Sequence, residues 1–152
     1  MAHEHSYGAT IKNNKTENLA VDFLLQSDSR FRQPTKEERK VLLIKLGLPT
    51  TFARAFDLVL LPKNDYVDIL EVPLEEIMLI ELKTTQKKLP ENPIGFFFGA
   101  TENEFNLADK LGEQYRFCFI SLHPESKSFA LLTSKELALK IKTKRLQYQI
   151  NL

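Results

Sequence analysis

The sequence predicts an α/β domain, α+β in detail, in which helices flank a central mixed sheet of about five strands. Three observations carry this prediction. Short apolar runs of strand length alternate with segments whose apolar residues recur at helical spacing. Thr35–Glu38, Thr101–Glu104 and Thr133–Glu136 each pair a capping hydroxyl with a carboxylate three residues on, which marks a helix start. Gly47 and Gly112 stand where two of those helical patterns run out.

Taken in order, residues 1–13 are polar and read as a flexible start, so a single domain is expected over 14–152. A helix follows from Thr16 to about Gln26, capped by Thr16 or Asn14, with Leu19, Ala20, Phe23 and Leu24 as its apolar stripe. The second helix opens at Thr35 behind Pro34, carries Val41, Leu42, Ile44 and Leu46, and ends at Gly47 and Pro49. Ala55–Leu61 is an apolar strand interrupted by Asp57, and Pro62–Asp65 reads as a turn. Tyr66–Leu70 is expected as a short strand, Ile77–Lys83 as a second apolar strand, and Gly95–Ala100, with its three phenylalanines, as another. Thr101 opens a helix that Gly112 stops, and Tyr115–Leu122 is an aromatic-rich strand. His123–Ser126 turns the chain, Ser128–Leu132 returns as a strand, and Thr133 caps a last short helix before a basic tail.

Composition narrows the function classes. The chain has 152 residues, 43% hydrophobic and 27% charged, which fits one globular domain with a real core. No apolar run reaches the length of a membrane span, and the Met-Ala-His-Glu-His start is not a secretory signal. The single cysteine, Cys118, excludes an internal disulfide framework and a four-cysteine zinc site, and points to a reducing, cytoplasmic setting. A net charge of +1 neither announces nucleic-acid binding nor forbids a local basic patch.

The chemistry concentrates where charge interrupts apolar strands. A charge inside such a strand costs free energy unless something compensates it. Asp57 lies in one run, and Glu81 and Lys83 lie in another, two residues apart and therefore on one face. If the two strands are neighbours, the three groups converge. Two carboxylates can hold Mg²⁺, and an adjacent ammonium can orient a water or offset charge on a phosphate oxygen. Glu38-Arg-Lys40 and Glu125-Ser-Lys127 share the Glu-x-Lys spacing but fall on an expected helix face and turn. The alternative for Glu81 and Lys83 is an edge strand whose charged face meets water. Asp68, in its own apolar surroundings, is a rival for Asp57, whose run is longer.

Asp57 followed by Glu81-Leu-Lys83, each on an apolar strand, resembles the PD-(D/E)XK nuclease superfamily, although Phe56 replaces the proline that names the motif. Residues Glu81–Thr85, Phe98–Ala108 and Tyr115–Ile120 are similar to the C-terminal domain of NO VEIN-type proteins, a branch of that superfamily. The resemblance implies a restriction endonuclease-like core and Mg²⁺-dependent hydrolysis of DNA, with Mn²⁺ as a substitute. It assigns Asp57 and Glu81 as metal ligands and Lys83 as the catalytic lysine. It adds Glu17 on the first helix, which shares a face with Ala20 and Leu24. Glu17 is equally a first-turn acid favoured by the helix dipole.

Other features are plainer. Thr101 and Glu104 are explained as a capping box, and Gln86, Asn103 and Gln114 are no more than candidate neighbours of the site. His3, His5 and His123 offer no metal set, and Cys118 reads as core packing. Two basic groups offer phosphate contacts: Arg30, Arg32, Lys36, Arg39 and Lys40, and then Lys135, Lys140, Lys142, Lys144 and Arg145. As a strand, the tail would set Lys140, Lys142 and Lys144 on one face, and Tyr148 is a candidate for base stacking. The expected function is a Mg²⁺-dependent DNA endonuclease acting in restriction or defence against foreign DNA, as a homodimer or with a separate recognition subunit. The alternatives are a catalytically inactive DNA- or protein-binding module of the same fold, and a plain interaction protein with a charged edge strand.

Overall fold

The computed structural model describes the backbone of residues 2–152 and the side chains of residues 15–152; the expected flexible segment 1–13 falls outside the described side chains. Helix α1 covers Ala2–Ser27, so it begins well before the expected start at Thr16. Strand β1 (Phe31–Arg32) leads to α2 (Lys36–Lys45), β2 (Leu58–Leu60), β3 (Met78–Thr85), α3 (Glu102–Leu111), β4 (Tyr115–Ser121), β5 (Ser128–Leu132) and α4 (Ser134–Ala138). The architecture is α+β, with a mixed sheet of five strands in the order β1-β2-β3-β4-β5. All ladders are antiparallel except β3–β4, which is parallel. A parallel pair needs a long crossover. Here residues 86–114, including α3, supply it.

The sheet is apolar on both faces. Leu58, Leu60, Ile80, Leu82, Cys118 and Ile120 meet Ala20, Val21 and Leu24 of α1. Val59, Leu79, Phe117 and Phe119 meet Leu42 and Leu43 of α2, Leu107 and Ala108 of α3, and Leu137 of α4. The central strands therefore read as continuous apolar runs rather than alternating ones. Among the described residues, no helix is long and apolar enough to cross a membrane.

The helix starts follow their capping chemistry. Thr35 and Thr133 form complete boxes, each side chain accepting from the backbone N–H three residues on while Glu38 and Glu136 reach back. Gly47 ends α2 with φ of +73°, a conformation that excludes most other residues. In α2 the buried residues are Leu42 and Leu43, whereas Ile44 is exposed.

Two strand expectations need correction. Tyr66–Leu70 is not a strand: the Asp68 carboxylate accepts from Leu70 N–H at 2.9 Å and turns the chain into a 3₁₀ segment, Ile69–Glu71. Gly95–Ala100 is a loop without a ladder partner. Its alternation survives only in packing, because Phe96 and Phe98 both stack edge-on against Phe119 at 5.0 Å while Phe97 points out. The basic tail forms no strand, and Lys140 lies in the turn after α4, so Lys140, Lys142 and Lys144 do not share a strand face. The two-residue β1 has no counterpart among the expected strands.

Candidate active site

Strand pairing assembles the site. Leu58 lies opposite Ile80 and Leu60 opposite Met78. Asp57 lies just ahead of that ladder, next to the part of β3 that carries Glu81. Two hydrogen bonds fix the junction: Asp57 N–H donates to Ile80 O at 2.7 Å, and Leu82 N–H donates to Asp57 Oδ2 at 2.8 Å. Strand β3 is central in the sheet and Glu81 is buried, so the edge-strand explanation of Glu81 and Lys83 fails.

The approach to Asp57 is braced from two sides. The Arg39 guanidinium donates to the carbonyls of Ala53, Phe56 and Asp57 at 3.4, 3.1 and 3.2 Å. The buried Tyr115 hydroxyl donates to Ala55 O at 2.6 Å. Neither role is legible in the sequence, where Arg39 counts as a phosphate-binding candidate. Arg32 is likewise engaged inside the protein, donating to the carbonyls of Ser29, Asn64 and Tyr66. It is therefore a buttress of the β1 region rather than a free DNA contact. Lys140, Lys142, Lys144 and Arg145 are exposed, and Lys144 Nζ lies 5.2 Å from the Phe105 ring centre.

Glu81 is 6% exposed, and its Oε1 is buried without a hydrogen-bond partner. Burial, then the neighbouring Asp57 carboxylate, push its pKa up to about 10, against a partial offset from Lys83. Glu17 is half-buried and also shifted upward, first by burial and then by Asp57, whose carboxyl is within hydrogen-bonding reach of it. The Lys83 ammonium stands 3.4 Å from Glu81 Oε2 and 2.6 Å from Glu104 Oε1. Glu104 is 6% exposed, and its second oxygen accepts from the Thr101 hydroxyl at 3.0 Å. Glu17, Glu81, Leu82, Lys83, Thr84, Phe97, Phe98 and Gly99 line a cleft of about 480 Å³.

The cluster brings together Glu17, Asp57, Glu81 and Lys83, and adds Glu104. Read from the sequence, Glu104 is the second half of a capping box. Thr101 does cap α3, but the Glu104 carboxylate turns to Lys83 instead of back to the Thr101 amide. Asp68 is spent on its own turn, away from the cluster. Gln114 donates to Leu74 O and Ile77 O ahead of β3, and Gln86 donates to Thr16 Oγ1 on α1. Cys118 is fully buried, and burial pushes its thiol pKa up, which leaves it inert.

The donor set suits a hard divalent ion. Every donor is oxygen, one buried carboxyl oxygen lacks a partner, and burial favours the protonated form of Glu81, which a bound cation would oppose. Among the described residues, no three His, Cys, Asp or Glu side chains stand ready as a coordinating group. Two carboxylates are enough for Mg²⁺, which usually retains several waters. No family model, curated protein or solved structure matches this chain.

Proposed function

We propose that this protein is a metal-dependent endonuclease that hydrolyses DNA phosphodiesters, with restriction of foreign DNA as its setting. One observation carries the reading: Asp57, just ahead of β2, has its carboxylate hydrogen-bonded to the Leu82 N–H beside Glu81, and the unpartnered Glu81 Oε1 and the Lys83 ammonium share one cleft. Asp57 and Glu81 would hold Mg²⁺, or Mn²⁺ in its place. The ion supplies an acidified water and a positive charge for the phosphate oxygens. Lys83 contributes a fixed positive charge where negative charge builds on the phosphorus oxygens during in-line attack. Glu17 adds an acceptor at the cleft wall that can orient the attacking water. The exposed Lys140, Lys142, Lys144 and Arg145 offer sequence-independent phosphate contacts. A second copy of the chain would let it cut both strands, and a separate subunit would let it read sequence.

A catalytically silent DNA- or protein-binding module is the second reading. It is favoured by the ammonium of Lys83 already being engaged by two carboxylates. Supercoiled plasmid incubated with Mg²⁺ or Mn²⁺ separates the two. Conversion to nicked or linear forms by the wild type, abolished in Asp57→Ala and Lys83→Ala, supports the nuclease. Retention of DNA in a gel shift with no conversion supports the module. Cutting that persists in Lys83→Ala refutes the mechanism.

A further inference from the structure

The Lys83 side chain has a flexible four-carbon stem and, untethered, samples many rotamers. In this structure it is held. Glu104 Oε1 takes its ammonium at 2.6 Å, the shorter of its two ion pairs, and the pair is about nine-tenths buried. Glu104 is itself fixed twice: its backbone N–H donates to Thr101 Oγ1 at 3.2 Å, and its Oε2 accepts from that same hydroxyl at 3.0 Å. The Thr101 hydroxyl thus serves the first turn of α3 and orients the carboxylate in one arrangement. Leu107 and Ala108, fully buried under the sheet, anchor α3.

An ammonium has three N–H groups. One is donated to Glu104, while Glu81 Oε2 stands 3.4 Å from the ammonium without a hydrogen bond to it. Without Glu104, Glu81 would be the carboxyl group left in contact with Lys83. The lysine would then settle on the carboxylate assigned to the ion, and both would lose their roles.

We infer that Glu104 is a positioning residue: from α3 it clamps the Lys83 ammonium beside Glu81 and keeps it from settling onto that carboxyl group. Thr101 is the hinge pin of the clamp. The inference deepens the nuclease reading and rests on it for its catalytic consequence, while the clamp itself is a property of the folded chain. It also gives α3, and hence the β3–β4 crossover, a part in the site beyond packing.

The test uses Glu104→Gln, which keeps the side chain's shape and an accepting oxygen but removes the charge, together with Glu104→Ala, each checked for its thermal midpoint. Two measurements are made on each. The first is the rate at which an amine-reactive reagent labels Lys83, read by peptide mass spectrometry without DNA or metal. Labelling should be fastest in Glu104→Ala, intermediate in Glu104→Gln and slowest in the wild type. Equal labelling overturns the clamp. The second is plasmid cleavage. Glu104→Ala should lose about 10²-fold in kcat, the scale of a 1 Å misplacement of a reacting group, with KM for DNA unchanged and partial recovery in Glu104→Gln. A loss that merely tracks unfolded protein, or no loss, overturns the positioning role. A wild type that never cleaves refutes the nuclease reading and the catalytic consequence, while the labelling order still decides the clamp.

Discussion

Replacing Glu81 with glutamine should change how stability depends on pH, and the structure gives the size. Glu81 has a folded pKa raised from 4.5 to about 10 by burial and by Asp57. A raised folded pKa means that the folded state holds the proton more tightly than the unfolded chain. This contribution is fully present below about pH 4.5 and is lost as pH climbs toward about 10. Each pH unit inside that window removes at most about 1.4 kcal/mol. Between pH 6 and pH 8 the ceiling is therefore about 3 kcal/mol, or about 6–12 °C in Tm for a domain of this size. The glutamine variant carries no such proton, so the difference between wild type and Glu81→Gln isolates the effect. Thermal melts in chelator at pH 6, 7 and 8 should show the wild type falling against the variant across the series. Added Mg²⁺ should then raise the wild-type midpoint more at pH 8 than at pH 6, because the proton that binding displaces is released more readily at the lower proton concentration. It should leave Glu81→Gln nearly unmoved. Parallel pH profiles for the two proteins would refute the account of a buried, protonated carboxyl waiting for a cation.

Other changes have equally direct outcomes. Tyr115→Phe removes the donor to Ala55 O and leaves a buried carbonyl unpaired, so urea unfolding should register a loss of about 1–3 kcal/mol. Arg39→Lys cannot reproduce three guanidinium hydrogen bonds to the segment entering β2; cleavage should fall more than Tm, since it is the placement of Asp57 that suffers. Thr35→Ala breaks the α2 capping box and should cost about 1 kcal/mol by denaturant titration, with cleavage per folded molecule unchanged. Neutralising Lys140, Lys142, Lys144 and Arg145 together should lower DNA affinity and flatten its salt dependence by about 0.9 in slope for each phosphate the tail no longer neutralises. An unchanged slope would remove the tail from the DNA-binding surface.

Much of the fold is legible in the sequence because its signals are local. Thr35, Thr133 and Gly47 mark helix ends by their own hydrogen bonds and backbone conformation, and the apolar runs around Leu79 and Phe117 are long enough to identify as buried strands. The failures arise where a side chain or a partner decides. Asp68 folds back on Leu70 N–H and cancels a strand that composition favours. The three phenylalanines at 96–98 have strand-like alternation, but no neighbouring strand offers a ladder, so packing on Phe119 takes its place. Phe31–Arg32 is too short for any periodicity to register. In the site, Asp57, Glu81 and Lys83 stand out because charge inside an apolar run is conspicuous. Glu104 does not, since a capping motif already explains it, and only the third dimension reveals where its carboxylate goes. Arg39 and Tyr115 act through backbone carbonyls, which leave no trace in a residue pattern.

The parallel pairing of β3 with β4 has a consequence for how the molecule acquires its chemistry. The cleft draws on Glu17 from the first helix and on Glu104 from the crossover, so no short stretch of chain contains it. Pairings between residues this distant in the chain form slowly during folding. On the proposed nuclease reading, cleavage should return late in a refolding time course, after helical signal has recovered, which would make it a more exacting gauge of native topology than circular dichroism.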